Sequence, residues 1–283
     1  MAGAISLILF LFYLPIPAVP TPEEDLSIYF EHVDQSARIV GGTEAAVGAH
    51  PHMVALTNGL IVRSLLCGGS VIGVRTVLTA AHCIAAVFSW GSLSANLRGT
   101  VGTNRWNTGG TLYSFARNAT HENYVSGTIK NDIGLLITTT NIAYNARAGV
   151  SPVPLSYDHV EGGVGVRVAG WGRIRGGGAI SAVLLEIAIS VIDGQRCIEE
   201  VDRMRLENTM WWNAPPVEPH IEICTFHSVG IGTCNGDSGS ALVRRDSGEQ
   251  VGIVSWGFAC ALGAPDMFVR VSAYRDWLGS RIV

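Results

Sequence analysis

Gly232-Thr233-Cys234-Asn235-Gly236-Asp237-Ser238-Gly239-Ser240 is the stretch whose reading decides this chain. Its glycines let the backbone turn sharply around one central serine. The run supplies a hydroxyl nucleophile, backbone N–H groups beside it, and a carboxylate one residue upstream. A serine hydroxyl attacks poorly unless a base removes its proton during the attack. A candidate base stands in Val77-Leu78-Thr79-Ala80-Ala81-His82-Cys83. A candidate acid to orient that base, Asp132, stands in Lys130-Asn131-Asp132-Ile133-Gly134-Leu135-Leu136.

Working outward, Ile39-Val40-Gly41-Gly42 precedes these segments, and Val168-Ala169-Gly170-Trp171-Gly172 and Ser255-Trp256-Gly257 accompany them. In this order the segments resemble the chymotrypsin/trypsin family of secreted serine proteases, from about Ile39 to Val283. The resemblance implies an all-β fold of two antiparallel six-stranded β-barrels with a short C-terminal helix and the active site between the barrels. It implies that Ser238 attacks a carbonyl, His82 moves the proton and Asp132 orients His82. The backbone N–H groups of Gly236 and Ser238 would form the oxyanion hole. Isolated His, Asp or Ser residues are usually surface or capping groups; their joint placement in family segments argues otherwise.

Bulk properties agree with one such unit. The 283 residues are 48% hydrophobic and 15% charged, with 34 glycines, ample for a large core. Alternating apolar segments bounded by turn residues (Ser70 to Leu78, Val164 to Ala169, Ala182 to Ile192, Gln250 to Ser255) read as strands. Helical patterns are confined to Gln195–Leu206 and Ala273–Ile282. The apolar run Ile5 to Leu14, followed by prolines and small residues, reads as a secretory signal and is too short to span a bilayer. The expected layout is signal peptide 1–18, activation peptide 19–38 and peptidase unit 39–283. Within the last, barrel one covers about 39–155, barrel two about 156–272 and the closing helix about 273–282.

Charge narrows the partners. Residues 1–38 hold five acids and one base, so their removal takes the chain from −4 to 18 − 18 = 0. A neutral body gives no electrostatic reason to expect nucleic acid or membrane as partner. The expected partners are protein or peptide substrates and an activating trypsin-like protease, and a monomer is expected. Lys130 is the only lysine; the other basic residues are arginine, which keeps its charge in an alkaline fluid such as a gut lumen.

Six cysteines in a chain with a secretory signal point to disulfides in an oxidising extracellular compartment, with connectivity left open by spacing. The resemblance implies Cys67–Cys83, Cys197–Cys224 and Cys234–Cys260. No CxxC pattern supports metal ligation, and no acid lies between Glu44 and Glu122 to build a calcium loop. No metal and no cofactor is expected. Asn118-Ala119-Thr120 is a glycosylation sequon.

Ser36-Ala37-Arg38-Ile39-Val40 has the chemistry of a cut site before a new N-terminus. The family pattern implies that cleavage after Arg38 frees the Ile39 amine, which pairs with Asp237 and settles the Ser238 loop. The chain is therefore expected to be made as an inactive precursor. The resemblance places Gly232 at the floor of the primary pocket, with Thr233, Ser255, Trp256 and Gly257 binding substrate. A glycine floor excludes trypsin-like recognition through an aspartate at 232. Asp266 falls where most relatives carry glycine, a pattern similar to arthropod collagenolytic proteases (brachyurins) and insect chymotrypsin-like digestive enzymes. Two readings follow: cleavage after large apolar residues with basic ones admitted by Asp266, or a plain apolar pocket with Asp266 turned away. Ser240-Ala241 departs from the commoner Gly-Pro after the nucleophile loop, implying altered packing with catalysis retained. The aromatic pair Trp211-Trp212, in a long segment between Cys197 and Cys224, reads either as a groove lining or as ordinary packing. The rivals to a digestive enzyme are an extracellular cascade protease and a non-catalytic homologue that only binds.

Overall fold

The computed structural model describes residues 41–145, 149–174, 176–258 and 260–283. The proposed signal, the activation peptide, Arg38 and Ile39 lie outside them.

Strands β1 (Thr43–Glu44), β2 (Met53–Asn58), β3 (Ser64–Val71) and β4 (Thr76–Thr79) lead into the short helix α1 (Ala81–Ala85). A small hairpin, β5 (Phe88–Ser89) and β6 (Ser92–Leu93), precedes β7 (Arg98–Val101), β8 (Thr111–Thr120) and β9 (Gly134–Thr138). Six of these strands close a barrel in the order β2-β3-β4-β9-β8-β7. Closure leaves no open edge to pair with another chain. Leu56, Leu78, Ile84 and Leu135 fill its interior.

The second half contributes β10 (Gly165–Gly170), β11 (Leu185–Ile192), helix α2 (Gly194–Glu207), β12 (Glu222–Thr225), β13 (Ala241–Arg244), β14 (Gln250–Gly257) and β15 (Asp266–Arg270). Their order is β11-β10-β13-β14-β15-β12, and β12 pairs back with β11 to close a second six-stranded antiparallel barrel; β1 adds to the outside of β11. In β11 buried and more exposed residues alternate, as a barrel wall with one wet face requires. Every residue of β14 is buried.

Two sequence expectations shift in detail. Ser70 to Leu78 is not one strand: Ile72–Arg75 forms a turn between β3 and β4, placed by the Thr76 N–H bond to Gly73 O at 3.3 Å. The closing helix is shorter than 273–282. A 3₁₀ turn (Val271–Tyr274) runs into α3 (Arg275–Gly279). Beyond it, Val283 is drawn back onto the first barrel, donating its N–H to Thr76 Oγ1 (2.8 Å) and accepting at its own carbonyl from Arg75 N (3.1 Å). Trp277 and Leu278 of α3 join the core of that barrel. The end of the chain thus caps the half it does not belong to in sequence.

Helix α2 forms where its pattern predicts, with Asp193 Oδ1 accepting from Gln195 N at 2.8 Å at its start. Of the aromatic pair that follows, Trp211 is buried and stacks edge-on against Phe258, whereas Trp212 is 70% exposed. The two residues have separate roles.

Candidate active site

Each barrel delivers part of one cluster. His82 is the second residue of α1, in the turn that follows β4, and its backbone N–H donates to Asp132 Oδ1 at 2.8 Å. Its ring Nδ1 bonds Asp132 Oδ2 at 2.8 Å, so one carboxylate fixes both the helix start and the imidazole. From the second barrel, Ser255 Oγ donates to the same Oδ2 at 2.6 Å. The register of β14 on β15 shifts between Val254 and Trp256, a bulge that turns Ser255 out of the ladder toward Asp132.

Asp132 is 1% exposed, yet it keeps its charge. Burial pushes its pKa up, but the His82 charge and the hydrogen bonds from His82 and Ser255 outweigh that and leave it lowered. For His82, burial pushes down while the Asp132 charge and hydrogen bond push up, and the result is a raised value. An ionised Asp132 only accepts, so Nδ1 carries the hydrogen and Nε2 is the free basic nitrogen.

The loop holding Asp132 is strained. Ile129 and Asn131 both have positive φ, 49° and 55°. Asparagine tolerates this; a β-branched isoleucine does so only at a cost of about 1–3 kcal/mol. The Tyr274 hydroxyl donates to Asn131 Oδ1 at 3.0 Å, and Asn131 Nδ2 donates to the Asn123 carbonyl at 2.8 Å.

Ser238 lies before β13, 9% exposed, and its carbonyl accepts from Gly68 N at 2.8 Å, which ties the loop to the first barrel. Gly236 has φ +99°, and a Cβ there would lie 3.0 Å from Gly172 Cα, so only glycine fits. Neither the Gly236 nor the Ser238 N–H is engaged by an acceptor among the described residues. No hydrogen bond joins Ser238 Oγ to His82 among the described residues; His82 Nε2 stands 3.6 Å from Cys83 Sγ. Ser240 Oγ is buried with no hydrogen-bond partner, a cost of the departure from the commoner loop.

Asp237 is fully buried, accepting from Gly172 N (2.8 Å) and Cys234 N (3.0 Å). Burial lifts its pKa to about 7 against the pull of those two bonds.

The pocket beside Ser238 is lined by Thr233, Cys234, Val254, Trp256, Gly257, Cys260 and Asp266. Asp266 Oδ2 accepts from Thr233 N at 2.7 Å. A Cβ on Gly232 would come within 2.8 Å of that same oxygen. The Asp266 carboxylate thus occupies the space that a side chain at 232 would enter; Asp266 lines the pocket, and Gly232, expected at its floor, is not among the residues that line it. Burial raises the Asp266 pKa to about 7, the Thr233 bonds lower it and the Asp237 charge raises it again.

Three disulfides staple this architecture: Cys67–Cys83 behind His82, Cys197–Cys224 between α2 and β12, and Cys234–Cys260 across the pocket. Cys67, His82 and Cys83 lie close enough to resemble a metal cluster, but both sulfurs are consumed in a disulfide and offer no thiolate. Asn118 of the sequon sits partly buried on β8, opposite Leu136.

The sequence model of the Trypsin family matches residues 39–278. The chain belongs to the trypsin family. The protease is 35% identical to "Chymotrypsin-2" of Vespa crabro over 85% of its own length and 98% of that relative's. It is 30% identical to "Trypsin alpha-4" of Lucilia cuprina (86% and 87% covered) and 34% to "Serine protease SP24D" of Anopheles gambiae (86% and 81%). It is a serine protease of chymotrypsin type. No described helix of the protease is long and apolar enough to cross a membrane.

Sequence reasoning missed one contact that ties down the Ser238 loop and one ion pair that lies outside the site. The Gly68 N–H that holds Ser238 carries no side-chain signal. Lys130 and Glu222, which meet behind Trp256, are 92 residues apart; the one hint was that Lys130 is the only lysine in the chain.

Proposed function

We propose that the protein is a secreted serine endopeptidase, made as a precursor and activated by cleavage after Arg38. Ser238 acts as nucleophile, His82 as general base and then acid, and Asp132 as the orienting carboxylate. The observation that carries this is Asp132 holding both the His82 backbone and ring while Ser255 braces it from the other barrel. The unengaged Gly236 and Ser238 N–H groups supply the oxyanion donors, each worth about 3 to 4 kcal/mol in the transition state. The Ser238–His82 hydrogen bond must form when the loop settles or substrate docks, since catalytic hydrogen bonds commonly tighten only in the complex.

Two features support the activation step. Gly41, two residues after Ile39, is packed against Gly230 and Ile231 of the segment leading to Ser238. Asp237, buried on backbone donors alone among the described residues, lacks a cation that the freed amine would provide. The substrate pocket reads as apolar walls above an acid that is half ionised near neutrality. Large apolar residues are accepted throughout, and arginine or lysine once Asp266 ionises. Relatives named chymotrypsin and trypsin support the endopeptidase reading; a digestive role over a narrow cascade protease is part of the proposal.

The test is a serine-directed phosphonyl reagent applied to the Arg38-cleaved protein and to the uncleaved precursor. The adduct is expected on Ser238 of the cleaved form and slow or missing on the precursor. A cleaved, folded protein without the adduct would leave only the non-catalytic binding homologue.

A further inference from the structure

Behind the pocket wall lies a polar cluster that the proton relay does not use. Glu222, at the start of β12, is 4% exposed, and its carboxylate is fully engaged. Lys130 Nζ donates to Oε1 at 2.8 Å and to Oε2 at 2.7 Å. The Trp256 indole Nε1 donates to Oε1 at 2.7 Å, and Glu218 N donates to Oε2 at 2.7 Å. Lys130 is itself only 6% exposed, and its ammonium stands 5.1 Å from the centroid of the Trp256 ring.

Stability alone gives no reason for ions here. Two charges lose their hydration on burial, and a well-packed apolar pair of the same size commonly holds a fold equally well. What an apolar pair could not supply is direction. Lys130 sits two residues before Asp132, in the loop strained at Ile129 and Asn131. Trp256 follows Ser255 and forms a wall of the pocket beside Ser238. The carboxylate between them receives the first barrel's lysine on one side and the second barrel's indole on the other.

We infer that Lys130 and Glu222 are positioning residues for peptide binding: their ion pair fixes the Trp256 indole as the wall along which an extended substrate lies. Neither touches substrate or reacting atoms. The inference rests on the peptidase reading above and adds a determinant of affinity for long substrates. An ester of a single amino acid meets Trp256 only inside the pocket beside Ser238, whereas a longer peptide runs on past it along the indole.

The experiment compares activated wild type with Lys130→Met and Glu222→Gln on two substrates, a single-residue ester and a peptide with four residues before the scissile bond. For Lys130→Met, KM for the peptide should rise about tenfold or more, while kcat/KM for the ester changes less than about threefold. Glu222→Gln retains an oxygen acceptor for the indole and should show the same split at smaller size. Should Lys130→Met fail to fold, Glu222→Gln carries the test, with an expected rise in peptide KM of about threefold and an unchanged ester rate. Equal losses on both substrates, or an unchanged peptide KM, would overturn the positioning role. Wild type inactive on both substrates would bring down the peptidase reading itself, and this inference with it.

Discussion

Asp132 illustrates how much one side chain decides. It accepts the His82 N–H, the His82 ring and Ser255 Oγ, and each bond favours its charged form. The charge in turn raises the His82 pKa above the ordinary 6.5. Folding stability from the His82–Asp132 pair is therefore full between pH 3.8 and 6.5, lost as pH rises through the raised His82 value and lost again as pH falls through the lowered Asp132 value. Catalysis has the opposite sign, because only neutral His82 can take a proton. The kcat/KM profile should rise with pH with its midpoint above 6.5. In Asp132→Asn the midpoint should fall and kcat should drop about 10⁴-fold, the size typical of this triad. A wild-type midpoint below 6.5 in steady-state kinetics would contradict the assignment. In the pocket lining, Asp266 ionises near pH 7, so cleavage after arginine should gain on cleavage after leucine as pH rises through 7. Asp266→Asn, which can still accept from Thr233 N, should abolish that gain and leave leucine cleavage within a few fold. Peptide-library profiling of both forms reads this directly. An arginine-to-leucine ratio that ignores both pH and the substitution would show that the acid does not meet the substrate.

At the scale of elements, the reading from sequence succeeded where a periodic pattern met a tertiary neighbour that agreed with it. Helix α2 and strands β10, β11 and β14 lie close to where alternation or helical spacing put them. It erred where long-range contacts set the limits: the turn between β3 and β4, and the last residues, recruited by Arg75 and Thr76. Cys234–Cys260 joins elements that the pattern treats separately, closing a separation of 26 residues around the pocket. On the chain-entropy account such a loop contributes roughly 3 to 4 kcal/mol. Replacing both cysteines by alanine should lower unfolding free energy by about that much in urea titration, and raise KM more than it lowers kcat. A loss of stability with KM unchanged would mean that the pocket wall stands without the staple.

For the whole molecule, the deciding relation is between the two barrels and the buried acid next to Ser238. The Asp237 pKa of about 7 compares with an ordinary 3.8. Between those values the folded chain holds a proton that the unfolded chain has released, so stability must fall as pH rises through this window. The penalty at neutral pH is on the order of 4 kcal/mol for an unpaired group. Pairing with the Ile39 amine would lower the pKa and remove most of it. An uncleavable Arg38→Gln precursor should therefore lose stability between pH 4.5 and 7.5, and the cleaved form should lose much less. Asp266 feels the Asp237 charge, so the comparison is made in an Asp266→Asn background, where the difference between the two forms reports Asp237. Identical pH slopes in denaturant unfolding would sink the activation switch.

The sequence alone established the family, and it singled out His82, Asp132, Ser238, Gly232 and Asp266 as the residues from which a site is proposed. Short segments suffice for that, because each is a local arrangement of a few residue types around one turn. Only tertiary structure decided that Asp266 occupies the space a side chain at 232 would need, and that Trp211 is core while Trp212 is exposed. It alone showed Lys130 meeting Glu222 beneath Trp256. Those facts depend on which distant strands become neighbours when the barrels close, and adjacency of that kind leaves no local pattern to read.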